Sequence, residues 1–139
     1  MPIELIVVTP EGEAFSEPVE QVVLPGTEGE FGVLEAHERF LSPLTHGAMK
    51  IILSDGTTEY AAISDGFAEV DGSKVVVLVD ACYKAHEIDL DHALRTKEEA
   101  EAALAALSDD LDQQEHRDRH EDAVVRASVQ IEVHGLYHN

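Results

Sequence analysis

The side chains with the clearest chemical potential are imidazoles near the end of the chain. His116 and His120 stand four residues apart, as do His134 and His138, so each pair shares one face if the segment is helical. Two imidazoles placed this way can chelate zinc or copper, although a zinc site needs further ligands in fixed geometry. The segment around them is polar and charged, and solvated histidines are the plainer reading of both pairs. Elsewhere the inventory is thin. Cys82 has no identifiable base, no Gly-rich loop ends in Lys-Ser or Lys-Thr, and no Gly-x-Ser-x-Gly elbow occurs. Carboxylate pairs are plentiful, but chance alone produces them in a chain with 29 Asp and Glu. The expected work is therefore binding, not independent catalysis.

The elements that would carry these residues fall into two parts. Short runs of Val, Ile and Leu broken by Gly, Pro, Asp and Ser fill the chain from Ile3 to about Tyr83, which predicts an all-β sandwich or barrel. The strand candidates are Ile3 to Val8, Val19 to Leu24, Phe31 to Leu34, Met49 to Leu53, Glu59 to Ile63, Phe67 to Val70 and Val75 to Val79. Ser54-Asp55-Gly56 and Asp71-Gly72-Ser73 lie between such runs, where Asp and Gly supply the positive φ of tight hairpins. From Asp89 to Leu107 the composition turns to Ala, Leu, Glu and Lys. Leu90, Ala93, Leu94, Lys97, Ala100, Leu104 and Leu107 recur there at helical spacing. Ser108-Asp109-Asp110 interrupts this helix, and Asp112 with Glu115 has the spacing of a capping box opening a second. Val125 to Val133 fits both a strand alternation and a helical stripe ending at Leu136; a helix is expected. The fold class is thus a mainly β N-terminal sandwich over residues 1–87 and a C-terminal α-helical hairpin over 88–139, α+β overall.

Composition narrows the partners. A formal net charge of −20 repels phosphate backbones and anionic headgroups, so no nucleic acid is expected. No apolar run approaches the roughly 20 residues that span a bilayer, so no direct membrane insertion is expected and any membrane association must come through a partner. Met1-Pro2-Ile3-Glu4 opens neither a secretory nor an Arg-rich transit signal, and the chain is expected to stay where it is made. With one cysteine there is no intrachain disulfide. With no Trp and 5% aromatics, the core must rest on aliphatic residues.

The run Leu24-Pro25-Gly26-Thr27-Glu28-Gly29-Glu30-Phe31-Gly32-Val33-Leu34, followed by His37, resembles the segment that marks epsilon subunits of F-type ATP synthases. Ala62-Ile63-Ser64-Asp65-Gly66-Phe67-Ala68-Glu69-Val70 and Glu87-Ile88-Asp89 agree with the same family in order and spacing, so the resemblance spans nearly the whole chain. Physically the first block reads as strand, glycine-permitted turn and returning strand. The family departs from this chain at one corner: relatives carry Pro-Gly before the histidine, where Glu35-Ala36-His37-Glu38-Arg39 stands here.

The resemblance implies a non-catalytic rotor subunit at the cytoplasmic face of a bacterial plasma membrane. Its sandwich would dock on the gamma shaft and on the polar loops of the c-ring, coupling proton flow to ATP synthesis. Glu30, Phe31 and His37 are the implied ring and shaft contacts, with solvated loop residues as the plainer reading of Glu30 and His37. The implied C-terminal hairpin either folds back on the sandwich or extends toward the alpha/beta catalytic head and restrains hydrolysis. Beyond Asp109, Arg117, Arg119 and Arg126 are set against Asp109, Asp110, Asp112, Glu115, Asp118, Glu121, Asp122 and Glu132, so inhibition should be weak. No cofactor is expected. Some relatives hold a regulatory ATP at the start of the first helix, which would assign Ile88, Asp89, Ala93 and Arg126 to nucleotide. His92 replaces the Arg of that motif, and a helix cap is the plainer role for Asp89. Two other readings compete with the rotor: an adhesive β-sandwich that binds a protein by its edge strands, and a His-rich metal-binding module.

Overall fold

A computed structural model describes residues 2–34, 37–107 and 113–137, with residues 37 and 38 described in backbone only. The apolar runs form β1 (Ile3–Thr9), β2 (Gly12–Gly26), β3 (Gly29–Val33), β4 (His37–Leu44), β5 (Gly47–Leu53), β6 (Thr58–Ile63), β7 (Gly66–Gly72), β8 (Lys74–Val79) and β9 (Cys82–Lys84). One turn of 3₁₀ helix, Ala85–Glu87, leads to α1 (Leu90–Ala106) and α2 (Gln114–Tyr137). Every strand expected from the sequence is present. Two were not anticipated: β4, whose His-Glu-Arg start and Pro43 hide its apolar residues, and the three-residue β9. The Val125–Val133 stretch is helical. The proposed box partner Asp112 lies outside the described residues, as does the Ser108–Asp110 break.

The strands form one hydrogen-bonded sheet that folds over on itself into a sandwich, in the order β1-β8-β7-β4-β2-β5-β6-β9, with β3 beside β2. The long strand β2 makes the corner. Val19 lies opposite Ile3 of β1 on one side and Leu53 of β5 on the other, and the β2–β5 register shifts between Val19 and Gln21. Such a bulge bends a strand and lets it serve two layers. The expected hairpins close where Asp-Gly pairs stand: β5–β6 and β7–β8 are antiparallel, and Gly56 and Gly72 take φ of +88° and +62°. Asp55 accepts from Thr57 Oγ1 at 2.6 Å and Thr57 N at 2.9 Å, bonds that hold its carboxyl below the usual 3.8. The parallel pairing of β1 with β8 joins the two ends of the body.

Inward-facing residues alternate along the strands as period-2 geometry requires. Ile3, Leu5 and Val7 of β1 meet Val22 and Leu24, Met49 and Ile51, Val70, and Val75 and Val77, all at most 2% exposed. This aliphatic core fits a chain without Trp. A smaller cluster lies outside the sandwich, where Val129 and Val133 of α2 cover Ala62, Ala85 and Ile88, with Ala48 and Tyr60 alongside. The hairpin is therefore folded back, with α2 against both α1 and the β5–β6 layer.

Candidate functional site

The two outer faces of the sandwich differ. The outward residues of β5 and β6 lie under the hairpin. Those of β1, β8, β7 and β4 have no covering element among the described residues, and the middle of that face is largely apolar, with Arg39, Glu4, Asp71 and Lys74 toward one end. Register places Pro43 opposite Phe67, Phe67 opposite Leu78 and Leu78 opposite Val8, a single row across four strands. The neighbouring row runs Leu41, Glu69, Val76 and Ile6. Leu41 is 66% exposed, Phe67 51% and Leu78 49%. Single exposed apolar residues are ordinary, but a contiguous patch of large ones marks an interaction surface.

At one end of this face β2 turns into β3. Gly29 has φ +123°, open to glycine and strained for other residues. Gly26 is needed for room, since a Cβ there would lie 2.8 Å from the Gly29 carbonyl oxygen. The turn presents Glu28 and Glu30 to solvent, and Phe31 folds beneath it to meet Phe40 edge-on, centroids 5.8 Å apart. Glu30 and Phe31 thus lie together on the wall of a shallow depression shared with Leu41 and Pro43. His37 begins β4 opposite Gly72, at the far end of that strand from Leu44.

The residues assigned to nucleotide are spoken for by the fold. Asp89 Oδ1 accepts the His92 N–H at 3.1 Å and caps α1. Ile88 and Ala93 are buried, 8% and 1% exposed, and Arg126 Nε lies 2.8 Å from Asp122 Oδ2. His116 and His120 do occupy one face of α2, and His134 follows on the same helix, while His138 lies outside the described residues. Among the described residues no three His, Cys, Asp or Glu side chains gather to hold a metal. Cys82 is half-buried beneath the β8–β9 corner, and burial pushes its thiol up to about 11.

Sequence reasoning missed two features. The apolar row was invisible because its members come from four strands whose order the sequence does not state. The alternation of Phe67 with Ala68, and of Val77 with Leu78, carried the signal, since both members of each pair are apolar where a half-exposed strand would show one polar. The second is the polar corner at His46, described below.

The fold is a two-layer β body capped on one face by a folded-back helical hairpin, and residues 2–85 match the family model described as ATP synthase, Delta/Epsilon chain, beta-sandwich domain. An ATP synthase epsilon chain of Nitratidesulfovibrio vulgaris is 39% identical over 133 residues, 96% of each chain, and one of Carboxydothermus hydrogenoformans is 45% identical over 103 residues, 74% of this chain and 76% of the relative. The chain belongs to the ATP synthase epsilon chain family. Its fold also matches a chain in the cryo-EM structure of the Euglena gracilis mitochondrial ATP synthase (OSCP/F1/c-ring), with a TM-score of 0.78 and 24% identity over 99% of this chain and 82% of that one. Among the described residues no helix is long and apolar enough to cross a membrane.

Proposed function

We propose that this chain is a non-catalytic rotor subunit of a bacterial F-type ATP synthase, peripheral to the cytoplasmic face of the membrane, which joins the gamma shaft to the c-ring. The observation that carries this reading is the bare row Pro43, Phe67, Leu78 and Val8, supported by family membership. A rotating adaptor must not slip on its shaft, and a broad apolar face on a rigid sheet supplies a contact whose strength grows with the area buried, at about 25 cal/mol per Å² before the costs of association. The end bearing Glu30, with Phe31 beneath it, meets the polar loops of the ring, while His37, at the opposite end of β4, lies away from that contact. A carboxylate there accepts hydrogen bonds from basic or polar loop residues. The hairpin is a regulatory appendage toward the alpha/beta head, and its acidic second helix makes it a weak inhibitor of hydrolysis.

The test is ATP-driven proton pumping by membranes stripped of this subunit and supplied with purified chain, with Leu78→Glu, or with a form ending at Glu87. The parent restores pumping, the shortened form restores it, and Leu78→Glu, folded by circular dichroism, fails to bind. Restoration by Leu78→Glu at the parent's affinity removes the shaft-facing assignment. Failure of the parent removes the rotor reading and brings the adhesive-module reading forward.

A further inference from the structure

The hairpin is fastened by two kinds of contact along one stripe of α2. Asp122, Arg126, Val129 and Val133 follow at intervals of four, three and four residues and so share a helix face. Val129 and Val133 enter the apolar cluster on β6. Asp122 and Arg126 lie nearer the start of the helix, at the corner where β4 gives way to β5. There the His46 side chain, 16% exposed, holds Nε2 3.2 Å from Asp122 Oδ1 of α2 and 3.5 Å from Asp65 Oδ1 of the β6–β7 corner. Asp122 turns its other oxygen to Arg126 Nε at 2.8 Å, an ion pair by distance that is off hydrogen-bond alignment. His46 Nδ1 is buried with no hydrogen-bond partner, so Nε2 is the nitrogen through which the ring meets its charged neighbours. The corner itself is rigid: Ser64, 3% exposed, accepts the Ala81 N–H on Oγ at 3.0 Å and donates its own N–H to the Ala81 carbonyl at 3.1 Å.

We propose that His46 is a proton-operated latch between sandwich and hairpin, bridging Asp65 of the body and Asp122 of α2 when charged and loosening α2 when neutral. The charged groups facing the ring are Asp65 from the β6–β7 corner and Asp122 and Arg126 from α2. A neutral imidazole offers a single N–H and no net charge, which leaves two carboxylates converging on one site with Arg126 compensating only the nearer. An imidazolium sets a positive charge between them, and if α2 lifts away the ring keeps Asp65 of the body but loses Asp122, so the His46–Asp122 attraction is what holds the docked state. Imidazoles are the side chains that exchange a proton across physiological pH. Acid therefore fastens the hairpin and alkali frees it. The carboxylates are 64% and 45% exposed, so solvent screens the pair and the expected change in the docking equilibrium is roughly threefold to fivefold. The latch is a property of the folded chain and stands apart from its place in a rotor.

Native-state hydrogen exchange of the full chain, read by NMR as protection factors between about pH 5.5 and pH 8, tests it. The amides of Val129 and Val133, each referenced to Val77 in β8, lose roughly threefold to fivefold protection as pH rises. His46→Gln, which keeps a polar amide of similar reach and cannot charge, stays at the parent's high-pH level throughout. Asp122→Asn, which removes the carboxylate that α2 brings to the ring, keeps less than about half of the pH-dependent change. A flat profile in the parent, or an unchanged profile in either variant, overturns the latch.

Discussion

Val133→Ala should release α2 without loosening the sandwich. Val133 is fully buried among Ala62, Ala85, Ile88 and Val129, a cluster separate from the main core. Alanine removes two methyl groups, each worth about 0.8 kcal/mol of burial, and leaves a void that adds up to about 1 kcal/mol. Alanine is the better helix former by about 0.6 kcal/mol, which offsets part of the loss. The net cost is about 1–2 kcal/mol, or roughly a fivefold to thirtyfold rise in the open population of the hairpin. Hydrogen exchange resolves where that cost falls. Amides across α2 should exchange faster by that factor, while Val77 in β8, paired with Ala68 and Val7, should hold its protection. Val125→Ala, at a site 41% exposed on the same helix, serves as the control and should cost nothing. If Val77 accelerates in step with α2, the hairpin opens only when the whole chain unfolds, and the separation into a stable body and a detachable hairpin is refuted.

Gly66→Ala should lower stability by about 2–3 kcal/mol in urea unfolding, because its Cβ would fall 2.0 Å from the Leu78 carbonyl oxygen and backbone cannot step aside. Cys82 should alkylate about a hundredfold more slowly in the folded than in the unfolded chain near pH 8, since burial raises its thiol from 9.0 to about 11 and the thiolate is the reactive form. The same shift costs stability as pH rises: the unfolded thiol releases its proton near 9 while the folded one keeps it to about 11, so urea midpoints should fall between those values. ATP at about millimolar concentration should move the melting temperature by less than about 1 °C, because Asp89 caps α1 and Arg126 is paired with Asp122; a larger rise would restore the nucleotide assignment. In an assembled enzyme, removing the hairpin should raise ATP hydrolysis by less than about twofold, as the proposed contact of α2 with the catalytic head would rest on a helix in which Arg117, Arg119 and Arg126 are outnumbered by Asp and Glu; a larger rise would show that charge does not govern the contact.

The architecture was largely legible in the chain itself. Alternation and Asp-Gly turns announced β1, β5 to β8 and their hairpins, and the Ala-Leu-Glu stretch announced α1, because such signals depend on residues a few positions apart. The glycine block from Leu24 to Leu34, together with Ala62 to Val70 and Glu87-Ile88-Asp89, pointed to the family. Local pattern was silent on β4, where Pro43 and the charges at its start mask a strand that exists by pairing with β7. It was ambiguous at Val125–Val133, where strand and helix periods coincide until Val129 and Val133 find Ala62 and Ile88. The functional surfaces belong to the tertiary level entirely. Pro43, Phe67, Leu78 and Val8 become one row only through the order of strands, and His46, Asp65 and Asp122 become one corner only when residues as far apart as 46 and 122 are folded together. Periodicity determines which side of an element is apolar; which two elements share an apolar side, and which charges meet at its edge, is settled by packing across distances that no local pattern encodes.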